Sequence, residues 1–145
     1  MGIYTVAKVF LDTNILVYAA DNHDPVRRDK ARAAIRRVVE TENPVISTQV
    51  LQEFYSAAIG KLKIDPLLAK EILHGFHNME TVQIDLGLIE QGIDISILSR
   101  ISFWDGLILA AAEQASCSSL LTEDLNDGQS VRGIRIENPF LENAP

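Results

Sequence analysis

The stretch Val9-Phe10-Leu11-Asp12-Thr13-Asn14-Ile15-Leu16-Val17 decides how this chain is read. An apolar run of strand length stops at Asp-Thr-Asn, and a second apolar stretch begins at once. That order reads as strand, tight turn, helix. In open α/β sheets, the turn at the carboxyl end of a strand is where ligands are held. A single aspartate there is explained equally well as a helix cap or turn former. Asp12 acquires a functional meaning only if other acids arrive at the same edge.

Outward from this stretch the alternation repeats. Strand-like runs recur at residues 7–11, 44–47, 81–84, 119–122 and 134–136. The segment 26–41 carries Ala31, Ala34, Ile35 and Val38 at helical spacing, and 48–63 carries Val50, Leu51, Phe54, Ala58 and Leu62. Pro66 suits the first turn of a further helix through Leu68, Ile72 and Phe76. Leu86, Ile89, Ile93 and Ile97 mark another helix, and 103–116 is the most apolar segment. Strands alternating with helices predict an α/β fold. The expectation is a three-layer α/β/α arrangement with a central, mostly parallel sheet of about five strands. Paired helices precede the third and fourth strands, enlarging the helical layers beyond a minimal doubly wound fold. No linker, low-complexity tract or internal repeat divides the chain, so one domain over 1–145 is expected.

Composition sets the outer limits. At 145 residues and 47% hydrophobic content, the chain is long enough to close a core, and 23% charged residues is ordinary. No apolar run approaches the roughly 20 residues needed to span a bilayer. The first residues lack a basic region followed by an apolar signal segment, so a cytoplasmic location is expected. The single cysteine, Cys117, has small polar neighbours and no nearby His, and reads as a structural thiol. A formal charge of −7 argues against a broad electrostatic grip on nucleic acid. Four of the twenty acids are site candidates, however, and the remaining sixteen face thirteen Lys and Arg, a balance of −3. Bound divalent cations would offset the cluster further. A nucleic-acid substrate stays open.

Each candidate acid has a bland explanation. Asp105 closes Ser102-Phe103-Trp104-Asp105, a capping-box pattern that accounts for it fully. Asp124 follows Leu120-Leu121-Thr122 and so repeats the placement of Asp12. Glu123 and Asp127 lie close enough that any of the three could face the same site, and Asn126-Asp127-Gly128 is strong turn chemistry. Glu53 falls mid-helix beside Val50 and Ala57, at the border of the apolar face, where most glutamates are solvated. Jointly the bland explanations fare worse. Two strand-end aspartates and an acid at a helix start put three carboxylates on one edge. Like charges held together raise one another's pKa or bind a cation. Hard oxygen ligands suit Mg²⁺ or Mn²⁺.

Five segments in order carry a family resemblance. They are Phe10-Leu11-Asp12-Thr13-Asn14, Ser47-Thr48-Gln49-Val50-Leu51-Gln52-Glu53-Phe54, Phe103-Trp104-Asp105-Gly106-Leu107-Ile108, Leu121-Thr122-Glu123-Asp124-Leu125 and Gly133-Ile134-Arg135-Ile136-Glu137-Asn138-Pro139-Phe140. Together they resemble the PIN-domain nucleases, most closely the VapC-like toxins of bacterial and archaeal toxin–antitoxin pairs. The resemblance spans nearly the whole chain. It implies that Asp12, Glu53, Asp105 and Asp124 form an acidic metal site, oriented by Thr13 or Asn14 and by Thr122. At Gly106 the family often has another small residue, a modest departure that leaves the adjacent acid intact. The resemblance further implies a Mg²⁺-dependent endoribonuclease that leaves 5′-phosphate and 3′-hydroxyl ends. It also implies a homodimer, and an antitoxin that docks on hydrophobic helices and obstructs the site.

RNA demands positive charge. Arg28, Arg32 and Arg36 recur every four residues along one helix, with Arg27, Lys30 and Arg37 nearby. The i, i+4 pairs Asp24–Arg28 and Arg36–Glu40 explain that stripe as a solvated face, the reading preferred here. Trp104 could stack on a base, although an aromatic in so apolar a segment is expected in the core. His74 and His77 have no third ligand nearby and are expected at the surface. Three rivals remain. A catalytically silent PIN-like module would bind RNA or protein without cutting. An aspartate-dependent phosphatase commonly has a second Asp where this chain has Asn14. A receiver-like signalling domain would need an early acid pair and a late strand-end Lys, which the sequence lacks.

Overall fold

In the computed structural model, which describes residues 6–141, the apolar runs become short strands that each deliver the chain to one sheet edge. β1 (Lys8–Leu11) leads into α1 (Thr13–Ala19) and α2 (Pro25–Thr41). β2 (Asn43–Ser47) leads into α3 (Thr48–Gly60), α4 (Pro66–Gly75) and a 3-10 turn at Phe76–Asn78. β3 (Glu80–Val82) is followed by α5 (Leu86–Ser99) and α6 (Phe103–Gln114), then β4 (Ser119–Leu121), β5 (Ser130–Val131) and β6 (Ile134–Glu137). The sheet order is β3-β2-β1-β4-β6-β5, and every neighbouring pair is parallel except β5 with β6.

β1 lies mid-sheet, with Phe10 opposite Val45 on one side and Leu120 on the other. Val9, Phe10, Leu11, Val45, Ile46, Leu120 and Leu121 are all buried, as a sheet covered on both faces requires. The α/β architecture with a mostly parallel central sheet is therefore as the sequence implied. β5 is one strand more than expected. It turns back on β6 through Arg132 and Gly133, both at positive φ, the backbone of a two-residue hairpin. Two residues are too few to show alternation in the sequence.

Each of the six α-helices described begins on a side-chain cap, supplied in turn by Asp12, Asp24, Ser47, Asp65, Asp85 and Ser102. Asp12 directly follows β1 and Ser47 is the last residue of β2, so α1 and α3 both start at the carboxyl edge of the sheet.

One helix faces opposite to its apparent pattern. Leu86, Ile89, Ile93 and Ile97 locate α5 correctly but are all exposed, and the helix packs instead through Leu88, Gly92 and Ile95. A helix apolar on every side cannot declare its buried face by periodicity. Close backbone approach decides it: a Cβ on Gly106 would lie 2.4 Å from the Gly92 carbonyl oxygen. α5 and α6 meet at 116°, and α6 is buried continuously from Gly106 to Ala112. Among the described residues no single helix is long and apolar enough to cross a membrane. Cys117 is buried, which pushes its thiol up to about 12 and makes it inert. His74 and His77 are exposed, edge to face, and His77 belongs to the 3-10 turn rather than to α4.

Candidate metal centre

Asp12 is where strand, turn and helix meet, and only 6% of it is exposed. Its amide continues the β1–β4 ladder by donating to the Leu121 carbonyl at 3.0 Å. Its Oδ1 accepts from the Thr13 amide at 2.7 Å, and its Oδ2 accepts from the Thr122 hydroxyl at 2.7 Å. Burial nonetheless pushes this carboxyl up to about 7, against the lowering effect of both hydrogen bonds, and the charges of Asp124 and Asp105 add to the rise.

Asp105 and Asp124 arrive from α6 and from the loop after β4. Oxygen atoms of Asp12, Asp105 and Asp124 lie within 4.8 Å of one another. Asp124 is raised as well, first by partial burial and then by the charges of Asp105, Glu123 and Glu53. Its amide donates to the Thr122 hydroxyl at 3.1 Å, so Thr122 links two of the three acids. Thr13 links Asp12 to Glu53 on the other side, its amide donating to Asp12 and its hydroxyl to Glu53 Oε1 at 2.7 Å. Glu53 lines the same cleft, of about 370 Å³, although it stands outside the close triad.

The donor set fits a hard divalent cation. Every candidate ligand atom is a carboxylate oxygen, and among the described residues neither thiolate nor imidazole lines the cleft. A buried carboxyl raised toward neutrality by its surroundings is a group that a cation would return to its charged form.

The expectations for individual residues divide. Asp12, Asp105 and Asp124 come together, and Thr13, Asn14 and Glu53 line the cleft with them. Asp105 forms only half of a capping box. Its amide donates to Ser102 Oγ at 3.0 Å, but among the described residues nothing donates to its carboxylate, which is left for the cleft. Glu123 is turned elsewhere, accepting from Arg27 at 2.6 Å, Tyr18 at 3.1 Å and the Asn14 amide at 3.4 Å. Asp127 accepts from the Asn138 amide at 2.8 Å and serves its turn.

Two readings need correction. Trp104 is not core: it is 60% exposed at the rim of the cleft, because the first turn of α6 projects past the sheet edge and continuous burial starts at Gly106. The pairs Asp24–Arg28 and Arg36–Glu40 are not among the ion pairs of the described residues. Asp24 caps α2 and pairs with Arg27, Arg28 turns to Asp29, and Arg32 donates to the Ala19 carbonyl. A residue at a helix cap is not free to serve the next turn as well. Arg28, Arg32 and Arg36 do not line the cleft. Sequence reasoning passed over Gln49, which does. It precedes Glu53 by four residues on α3, a spacing that puts both on one helix face.

A cleft that gathers three close carboxylates at the carboxyl edge of a parallel sheet marks the class: an α/β domain with an acidic site whose donors suit a hard cation. The chain belongs to the PIN domain family, whose model matches residues 9–127. Comparison with curated proteins returned no match. Solved structures share the fold at low identity. A toxin–antitoxin complex from Klebsiella pneumoniae superimposes with a TM-score of 0.67 at 20% identity, covering 87% of this chain and 94% of that one. VapBC2 from Rickettsia felis, bound to a promoter DNA fragment, gives 0.65 at 21% identity, over 90% and 98%. Mycobacterium tuberculosis VapC20, described as a sarcin–ricin loop cleaving toxin, gives 0.60 at 18% identity, over 77% and 86%.

Proposed function

We propose that this chain is a single-domain, divalent-cation-dependent endoribonuclease, the toxin of a toxin–antitoxin pair acting in the cytoplasm. The observation that carries the reading is the set of three carboxylate oxygens within 4.8 Å of one another, placed in a PIN fold. Asp12, Asp105 and Asp124 hold Mg²⁺ or Mn²⁺. Glu53, secured by Thr13, carries a fourth charge on the cleft wall, where it can orient attacking water. Thr122 fixes Asp12 and the backbone of Asp124, and Asn14 holds Glu123 away from the cleft. When bound, the cation supplies a lowered water pKa and charge stabilisation on the phosphate oxygens. Trp104, exposed at the rim, offers a base a stacking surface. Arg28, Arg32 and Arg36 lie off the cleft and at most extend contact along the RNA backbone.

An antitoxin and a second copy of the chain are the proposed partners. Support comes from the solved relatives that are toxin–antitoxin complexes, and from the exposed apolar stripe Leu86, Ile89, Ile93 and Ile97 on α5.

The test is incubation of purified protein with structured RNA and with DNA of the same sequence, in Mg²⁺, Mn²⁺ or EDTA. Internal cutting of RNA alone, metal-dependent and leaving 5′-phosphates, is expected. Undiminished cutting by Asp12→Asn would overturn the site. No cutting, and no rise in melting temperature with Mn²⁺, would leave a silent binding module.

A further inference from the structure

Gln49 stands in the first turn of α3, one helical turn ahead of Glu53, and only 4% of it is exposed. Its Nε2 donates to the Trp104 carbonyl at 3.3 Å. Its Oε1 is buried and has no partner among the described residues. Exchanging the amide nitrogen and oxygen would set oxygen against the Trp104 carbonyl and orphan the NH₂ group instead, so the bond fixes the orientation. A buried acceptor without a donor is uncommon and costs stability. Such a group calls for an explanation beyond packing.

What Gln49 holds explains the arrangement. The Trp104 carbonyl belongs to the peptide whose N–H is that of Asp105, and that N–H donates to Ser102 Oγ at 3.0 Å. The peptide is therefore tied at both ends, its carbonyl to α3 and its amide to the cap of α6. Asp12 has two donors to its carboxylate, whereas among the described residues that of Asp105 has none. The position of Asp105 thus depends on its backbone.

We infer that Gln49 is a positioning residue, which holds the Trp104–Asp105 peptide so that the Asp105 carboxylate meets Asp12 and Asp124 for cation binding. The inference rests on the metal reading proposed above. It gives the cation site a structural support from α3 and couples the helix of Glu53 to that of Asp105.

The experiment is Mn²⁺ titration of the full chain by calorimetry, with the melting temperature of the metal-free protein measured beside it. Gln49→Met keeps the length of the side chain while removing both the donor and the orphaned oxygen. It is expected to weaken Mn²⁺ binding about tenfold or more, with the metal-free melting temperature unchanged or raised. Gln52→Met, on the exposed side of α3, is expected to leave both quantities unchanged. Unchanged Mn²⁺ affinity in Gln49→Met would overturn the inference, as would a loss of affinity matched by a lowered metal-free melting temperature. If Gln49→Met does not fold, Gln49→Ala is read by the same criteria. Absence of Mn²⁺ binding by the unaltered protein would overturn the metal reading itself, a result distinguishable from failure of the variant alone.

Discussion

The Thr122 hydroxyl donates to Asp12 Oδ2 at 2.7 Å, and the Thr122 Oγ1 in turn accepts from the Asp124 amide at 3.1 Å. One short side chain therefore sets the separation of two acids that charge repulsion would drive apart. It also holds the Asp12 carboxyl lower than burial alone would leave it. Thr122→Val removes the bond at nearly constant volume, so the Asp12 carboxyl should rise beyond its present value of about 7. Cation binding needs the charged carboxylate, and the pH midpoint of Mn²⁺ binding should move upward. Calorimetric titrations between pH 5.5 and about 8.5 would measure the displacement.

Asp12 makes the metal-free protein less stable as pH rises. Its carboxyl is raised from 3.8 to about 7 on folding, so between these values the folded chain binds more protons than the unfolded chain. The contribution is fully present below 3.8 and is lost as pH rises through about 7. At roughly 1.4 kcal/mol per pKa unit, the loss is at most about 4 kcal/mol. Metal-free Asp12→Asn should accordingly melt higher than the unaltered chain at pH 8, with no such gain at pH 4. Saturating Mn²⁺ should stabilise the unaltered protein strongly and the variant little. Thermal melts at the two pH values, with and without Mn²⁺, check each part.

Much of this was legible in the sequence, for identifiable reasons. Apolar runs ending at Asp12 and Thr122 mark strand ends, and strand ends of a parallel sheet share one edge, so Asp12 and Asp124 could be brought together without coordinates. Glu53 was not legible from periodicity. Its position depends on β2 running straight into α3, which places the first turns of that helix over the strand ends. The buried face of α5 was hidden because the whole helix is apolar, and the residue that decides it, Gly92, has no side chain to register in a hydrophobic pattern. Trp104 misled because an aromatic next to an apolar segment gives no sign that the helix starts outside the sheet.

Two adjacent acids after β4 offer a direct discrimination. Glu123 lies under the Arg27 guanidinium and the Tyr18 hydroxyl, while Asp124 faces Asp12 and Asp105. Glu123→Gln should retain Mn²⁺ affinity and RNA cutting. Its stability should fall by no more than about 1 kcal/mol, because the ion pair with Arg27 is partly exposed. Asp124→Asn should lose at least tenfold in Mn²⁺ affinity, the scale of losing one supporting group at a metal site. Parallel titrations and urea unfolding of the two variants separate a structural acid from a functional one.

Gly106 tests whether the α5–α6 crossing is what places Asp105. Alanine there would gain about 1 kcal/mol in helix propensity. Its Cβ, however, would lie 2.4 Å from the Gly92 carbonyl oxygen and 3.1 Å from the Ser96 amide nitrogen, both backbone atoms of α5. Backbone cannot rotate aside as a flexible side chain does, so α5 must move as a body, and overpacking of this kind costs about 1–3 kcal/mol. The clash outweighs the propensity, and Gly106→Ala should lower the urea midpoint. Gly60→Ala is the control, since nothing lies within 4 Å of a Cβ at that position, and it should hold or raise the midpoint. Asp105 precedes Gly106 on the turn that would have to yield, so Mn²⁺ affinity should fall in Gly106→Ala and not in Gly60→Ala.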